Sequence, residues 1–196
     1  MLQKPPCISY LGSTDQSSFP LILVIGREYN GTGSASSRIG QYCFDKSPKS
    51  LFWNRAYGVI GRATDDNGLL KSQCRREASS PIIFSNLLPI SIRNSSKSKL
   101  AARKTVTEVM LRKHLTSVFN QEMVKRAEVV ILSCGQDAVF EYGKALVRSH
   151  CQKTKKKLIE LPYLGSRLCN SEIDGGLSKE QIASIRRVVQ RFVHRE

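Results

Sequence analysis

Four short apolar runs, separated by polar and helical segments, constrain the fold of this chain more than any other feature. The first run, Phe19 to Ile25, is almost continuously apolar and ends at Gly26. A run of this kind is typical of a strand that is buried on both faces, as in a parallel sheet. Similar runs follow at Pro81 to Ile90, Ala127 to Ser133 and Leu158 to Leu161, so the sequence predicts four strands.

The segments between and after these runs carry apolar residues at helical spacing. Ser178 is placed to cap the last of them, and Gln181 can reach back to it, as in a capping box. We expect helices over residues 51–63, Thr105 to Arg126, roughly 136–150, and the final segment LSKEQIASIRRVVQRFVHRE.

Strands that alternate with helices predict βαβ units and a mostly parallel sheet. We therefore expect an α/β fold with three layers, in which a central four-stranded, mostly parallel sheet is flanked by helices. Residues 1–18 are polar, with a Pro-Pro pair and several serines, and we interpret them as an N-terminal arm. Residues 19–196 then form a single domain, a size at which one hydrophobic core is normal.

Charge is the first indication of function. The chain has 31 Lys and Arg against 16 Asp and Glu, which gives a net charge of +15. An excess of this size indicates a polyanionic partner, most commonly nucleic acid, although charge that serves only solubility is the alternative. The basic residues are concentrated between Lys71 and Lys104, with smaller runs at Lys153 to Lys157 and Arg186 to Arg191. This spread favours a basic face on a folded domain over a basic tail.

Spacing and hydropathy speak against several other classes of protein. The six cysteines include no CxxC pair and the three histidines have no metal-ligand spacing, so we expect no metal site. The longest apolar stretch, FPLILVIG, is far shorter than the roughly 20 residues that cross a bilayer. The first ten residues lack the apolar run of a secretory signal. We expect an intracellular protein, in the cytoplasm and nucleoid or in the nucleus, that neither binds membranes nor is secreted.

In a parallel α/β sheet, ligands bind outside the carboxyl ends of the strands. Here those ends are followed by the loops after Ile25, Ile90, Ser133 and Leu161. The first loop, GREYNGTGS, has neither the Lys-Ser/Thr pair of a P-loop nor the GxGxxG fingerprint, which argues against a nucleotide cofactor. Cys134 at a strand end fits a small core residue better than a nucleophile.

Two polar residues at these strand ends are candidates for chemistry. Glu28 follows the first strand directly and could act as a general base or orient a water molecule; an ion pair with Arg27 or another surface arginine is the alternative. Asn86 lies within or at the end of the second apolar run, where a buried amide needs partners. We favour a ligand-binding role for Asn86.

The order of these segments resembles that of the uracil-DNA glycosylase superfamily, most closely its mismatch-specific uracil- and thymine-DNA branch. The resemblance runs from about Leu21 to Asn170. LVIGREYNG resembles the water-positioning motif, with Glu28 in place of the usual Asp or Asn, and YCFDKSPKSLFWNRAYGVIG resembles the segment that carries a base-stacking aromatic residue, here Phe44. FSNLLP offers Asn86, VVILSCGQDAVFEYGKAL matches a strand that leads into a helix, and LPYLGSRLCN stands in place of the DNA-contacting loop.

The resemblance implies a uracil-DNA glycosylase-like fold and a set of site residues. It makes Glu28 the catalytic residue, places base binding on Phe44 and Asn86, and offers Ser166 and Arg167 as DNA contacts. To base binding we add Arg27 and Tyr29, which flank Glu28 after the first strand, and to the DNA contacts we add Arg93, Lys97 and Lys99 from the basic stretch. Two departures bear on activity. Tyr29 replaces the proline of the first motif, and residues 162–166 read PYLGS where the best-known members have His-Pro-Ser.

The function implied is that of a monofunctional DNA glycosylase in base-excision DNA repair. Such an enzyme hydrolyses the N-glycosidic bond of uracil or a related damaged or mismatched base after flipping it out of DNA. We expect a monomer that acts on single- or double-stranded DNA without metal or cofactor. A catalytically inactive nucleic-acid-binding module of the same fold is the alternative. An N-glycosidase for free nucleosides is a third hypothesis, and the charge of +15 argues against it.

Overall fold

A computed structural model describes residues 8–10, 21–27, 51–64, 82–89, 106–136, 138–164 and 177–193 of the chain. The strands are β1 (Ile8–Tyr10), β2 (Leu21–Gly26), β3 (Ile82–Asn86), β4 (Ala127–Leu132) and β5 (Lys157–Glu160). The helices are α1 (Leu51–Ala63), α2 (Glu108–Phe119), α3 (Glu122–Lys125), α4 (Glu141–Thr154) and α5 (Lys179–Val193), and a short 3-10 turn (Ala138–Phe140) precedes α4.

The strands form one sheet in the order β1-β3-β2-β4-β5. Strands β2 to β5 are all parallel, which confirms the predicted three-layer α/β fold with its four-stranded parallel sheet. β1 adds a fifth strand, antiparallel to β3, with Ile8 opposite Ser85. The sequence did not predict β1, because three residues are too few to establish an alternating pattern.

Two hydrophobic cores lie on opposite faces of the sheet, and alternate residues of β2 point into each. Leu21, Leu23 and Ile25 belong to the core beneath α2, α3 and α4, whereas Ile22 and Val24 belong to the core beneath α1 and α5. All five side chains are buried. The sequence of β2 is therefore apolar without a break, as a strand covered on both faces requires.

Two helix predictions had different outcomes. The single helix expected over residues 105–126 is two helices, α2 and α3, and α2 ends at its C-cap, Asn120. Asn is a poor helix former because its side chain competes for the backbone hydrogen bonds. The capping box of α5 is confirmed: the Ser178 N–H donates to Gln181 Oε1 (2.8 Å), and the Gln181 N–H donates to Ser178 Oγ (3.2 Å).

The strand order determines where a ligand site can lie. The chain passes from β2 to β3 on one side and then returns to β4 on the other, so β2 and β4 flank a topological switch point. Ligands of such sheets bind outside the carboxyl ends of the strands at that point. We call the side of the sheet at which β2 to β5 end the carboxyl edge.

Among the described residues, no helix is long and apolar enough to cross a membrane.

Candidate functional site

The register of β2 and β3 brings the first and third sequence motifs together at the carboxyl edge. Gly26 lies opposite Asn86 in the parallel ladder. Pairing continues beyond the two strands, since the Leu87 N–H donates to the Gly26 carbonyl (2.8 Å) and the Leu88 N–H donates to the Arg27 carbonyl (2.9 Å). Arg27 and Asn86 therefore leave the sheet side by side.

Ser133 connects the other two motifs at this edge. Its side chain is completely buried just after β4. The Ser133 hydroxyl donates to the Pro162 carbonyl (2.8 Å) and accepts from the Leu164 N–H (2.8 Å). The turn after β5 is thus fastened to the end of β4. Arg55 of α1 also donates to the Leu164 carbonyl (2.9 Å), so α1 is joined to the same turn.

The guanidinium group of Arg27 contacts two aromatic rings. Its Cζ atom is 5.0 Å from the centre of the Phe140 ring and 4.7 Å from that of Tyr163. Both distances are within the range of a cation–π interaction, and Arg is the cation that most often stacks in this way. Gly135 adopts φ +78°, and a β-carbon there would contact Tyr163 at 3.6 Å. The backbone of the turn after β4 thus runs close to the β-carbon of Tyr163.

Arg27 also carries a polar atom that has no described partner. Its Nε is buried and makes no hydrogen bond with any residue that the structure describes. A buried donor of this kind costs roughly 1–3 kcal/mol if nothing satisfies it, so such atoms are rare without a reason. Arg27 is therefore a candidate for contact with a ligand at the carboxyl edge.

Two pairs of oppositely charged side chains also lie near this edge. Arg148 donates twice to the Glu160 carboxylate, with both contacts at 2.7 Å. The hydrogen bond from Arg148 lowers the pKa of Glu160 and keeps it ionised. Lys144, which is nearly buried, donates to Glu141 at 2.7 Å. Arg27 has aromatic rings in place of a carboxylate, and no carboxylate among the described residues pairs with it.

Cys134 is a buried thiol in the middle of this arrangement. It lies 3.3 Å from the Gly26 carbonyl, to which its Sγ donates. Burial raises the pKa of Cys134 to about 12, against the opposing effect of Lys144 and Arg27. The nucleophile in cysteine chemistry is the thiolate, and this group remains a thiol at neutral pH. The interpretation of Cys134 as a core residue is confirmed.

The backbone of Asn86 is held by a buried histidine. His114 Nε2 lies 2.8 Å from the Asn86 carbonyl oxygen. A carbonyl oxygen can only accept, so Nε2 carries a hydrogen and is the donor of this bond. Burial lowers the pKa of His114, against the opposing effect of the hydrogen bond to Asn86, and favours the neutral ring. The Asn86 residue itself is half-buried at the end of β3. His114 thus fixes the position from which the Asn86 amide extends.

The structure describes two of the predicted site residues, Arg27 and Asn86, and brings them together at the carboxyl edge. Their base-binding roles stay predictions. The remaining predicted site residues lie outside the described residues: Glu28, Tyr29, Phe44, Arg93, Lys97, Lys99, Ser166 and Arg167.

Four further residues at this edge were not singled out from the sequence: Phe140, Tyr163, Ser133 and His114. Tyr163 and Phe140 do lie within segments that the resemblance covers, LPYLGSRLCN and VVILSCGQDAVFEYGKAL. Only the fold brings both rings into contact with Arg27, because the three residues follow three different strands. Nothing in the sequence around His114 indicated its role, because its hydrogen-bond partner is 28 positions away in the chain.

No family model matches this chain, and neither curated proteins nor solved structures give a match. The resemblance to the uracil-DNA glycosylases therefore depends on the motifs alone. In the part of the chain that the structure describes, no group of three or more His, Cys, Asp and Glu side chains could hold a metal ion.

Proposed function

We propose that this protein is a DNA glycosylase that hydrolyses the N-glycosidic bond of uracil or a related damaged base flipped out of DNA. The observation that carries the proposal is the register of β2 and β3, in which Gly26 lies opposite Asn86. Glu28 follows Arg27 directly in the sequence, which supports the proposal that its carboxylate acts together with the Asn86 amide. The register thus supports the proposal that the first and third motifs act together at the carboxyl edge.

The reaction needs two kinds of group, and the proposed site supplies both. Cleavage passes through an oxocarbenium-like sugar and a departing base anion. The Glu28 carboxylate would stabilise the cation and orient the attacking water, and the Asn86 amide would donate to the base anion. Held by His114, Asn86 is pre-organised for this role, which matters because a misplacement of about 1 Å can cost 100-fold in rate.

Arg27 adds a positively charged wall to the base pocket. Its guanidinium contacts both the Phe140 and the Tyr163 ring, which supports a positioned cation at this edge. A bound base or a water molecule would satisfy the Nε donor that has no described partner. The net charge of +15 supports binding to the DNA phosphates, with a steep dependence on salt.

The test is base release from labelled oligonucleotides that carry uracil, a thymine mismatch, hypoxanthine or an oxidised base, each as single strand and duplex. Glu28→Gln should lower the release rate by about 100-fold or more while duplex binding is retained. Asn86→Ala should lower it by about 100- to 1,000-fold, the usual effect of losing one anion-stabilising donor.

Glu108→Gln is the matched control, because Glu108 is an exposed carboxylate at the start of α2. It should release base at the wild-type rate. If the wild-type protein binds duplexes tightly and releases no base from any substrate, the glycosylase proposal is wrong and the chain is a nucleic-acid-binding module. Turnover of free deoxyuridine with little salt dependence would instead identify a nucleoside hydrolase.

A further inference from the structure

A basic groove lies at the opposite side of the sheet from the candidate site, where β4 and β5 begin. Its volume is about 500 Å³. Three segments line it: the end of α3 with the start of β4, the end of α4 with the start of β5, and α5. The lining residues are Lys125, Arg126, Ala127, Glu128, Val129, Thr154, Lys155, Lys156, Lys157 and Arg187. Six of these are cations and one is a carboxylate.

The fold assembles this groove from separate basic stretches of the sequence. The lysine run at 153–157 and the arginine run at 186–191 are about 30 positions apart, yet both contribute side chains to it. The candidate site uses neither run. A six-residue strand spans about 20 Å, so the groove and the carboxyl edge are roughly that far apart.

Some of the charged residues that line the groove are paired with other side chains, and the cations without a carboxylate partner are the ones available to a ligand. Glu128 is bonded to Arg191, outside the groove, and Lys125 and Lys157 are bonded to Glu122 and Glu180.

The Nζ group of Lys156 donates to the carbonyls of Lys125 and Ala127, so it already has hydrogen-bond partners within the protein. Lys155 and Arg187 have no carboxylate partner among the described residues, and both are exposed.

We propose that this basic groove binds the sugar–phosphate backbone of nucleic acid, as a second contact site remote from the carboxyl edge. None of the described lining residues is aromatic, so the groove offers charge for phosphates and no stacking surface for bases. A long polyanion is favoured over a small phosphate compound, because the rest of this +15 chain attracts the same ligand. The inference does not rest on the proposed glycosylase activity.

The test compares the salt dependence of binding to an undamaged duplex, followed by fluorescence anisotropy. The variant is Lys155→Asn with Arg187→Gln. Asn is chosen because Lys155 adopts the left-handed conformation, at φ +56°, which Asn tolerates better than most residues. Each phosphate contact contributes about 0.9 to the slope of log K against log salt. We expect the slope to become shallower by about 2 and the affinity at low salt to fall at least tenfold.

The matched control is Lys113→Gln with Lys179→Gln, which removes the same charge from exposed residues outside the groove. Its slope should stay close to that of the wild-type protein. Equal slopes in all three proteins, or equal losses in both variants, would overturn the proposal. Urea unfolding of each variant establishes that the comparison is between folded proteins.

Titration with tripolyphosphate distinguishes the phosphates of a nucleic-acid backbone from those of a small free compound. If the groove variant loses tripolyphosphate binding while its slope on duplex is unchanged, the ligand is a free phosphate compound and the nucleic-acid proposal is wrong. Base release is measured separately, so absence of release with the slope effect intact would contradict only the glycosylase proposal. Base release by the wild-type protein, with no change of slope in the groove variant, would contradict only the proposal that the basic groove binds nucleic acid.

Discussion

Ser133 is a single side chain that joins two loops at the carboxyl edge. Its hydroxyl bridges the Pro162 carbonyl and the Leu164 N–H, and no part of it is exposed to solvent. A serine hydroxyl can donate once and accept twice, so this position uses both properties. Neither alanine nor valine could hold the turn in the same way.

We predict that Ser133→Ala lowers the free energy of unfolding by about 1–3 kcal/mol, because it leaves a buried N–H and a carbonyl without their partner. Urea unfolding followed by circular dichroism measures this loss. Ser149→Ala, at a half-buried serine within α4, is the control and should change stability by less than about 0.5 kcal/mol. A loss no greater than that of the control would mean that the turn is held by other contacts.

Helix α4 packs unusually close to the segment that follows β3. A β-carbon on Gly143 would lie 2.9 Å from Leu87 Cγ and 3.1 Å from both of its methyl carbons. Leu87 is completely buried, one residue after Asn86. The absence of a side chain at position 143 therefore lets the helix approach the carboxyl edge.

We predict that Gly143→Ala destabilises the protein, although alanine is the better helix former by about 1 kcal/mol. Overpacking against Leu87 costs about 1–3 kcal/mol and outweighs that gain. The control is Ala145→Gly, at an exposed position of the same helix, which reports the propensity effect alone. Urea unfolding of both variants gives the comparison, and a stabilised Gly143→Ala would show that Leu87 moves aside freely.

At the scale of elements, the sequence predicts what depends on local pattern and misses what depends on contacts between distant residues. The four parallel strands and the capping box at Ser178 follow from apolar runs and from spacing, and both are confirmed. Strand β1 and the break at Asn120 were missed, because one is too short for a pattern and the other interrupts an otherwise helical one. The pair of rings around Arg27 could not be predicted, since it joins three loops.

At the scale of the whole molecule, two histidines make stability depend on pH. Burial lowers the pKa of His114 and of His150 below the ordinary value of 6.5. The unfolded chain therefore binds these protons at a higher pH than the folded protein does. Linkage then requires that stability falls as the pH drops through 6.5, and that it is fully retained above that value.

We predict that the urea concentration at the unfolding midpoint decreases as the pH is lowered from 7.5 to 5.0. This pH range lies above the titration of the paired carboxylates. His114→Gln should reduce this dependence, because a neutral amide can still donate to the Asn86 carbonyl and does not titrate. The measurement is a urea unfolding series across the range for both proteins. An identical pH dependence in the variant would exclude His114 as a contributor.

The strand order has a consequence for how the chain is synthesised. β2 is the first of the four parallel strands to leave the ribosome, yet both of its neighbours, β3 and β4, come later in the chain. Its sequence, LILVIG, is uncharged, free of proline and rich in β-branched residues, the composition of an aggregation-prone segment. Until Ile82 to Asn86 has been made, the nascent chain cannot bury this segment in its sheet. Translation of the intervening residues is therefore the interval in which this segment is most prone to aggregate.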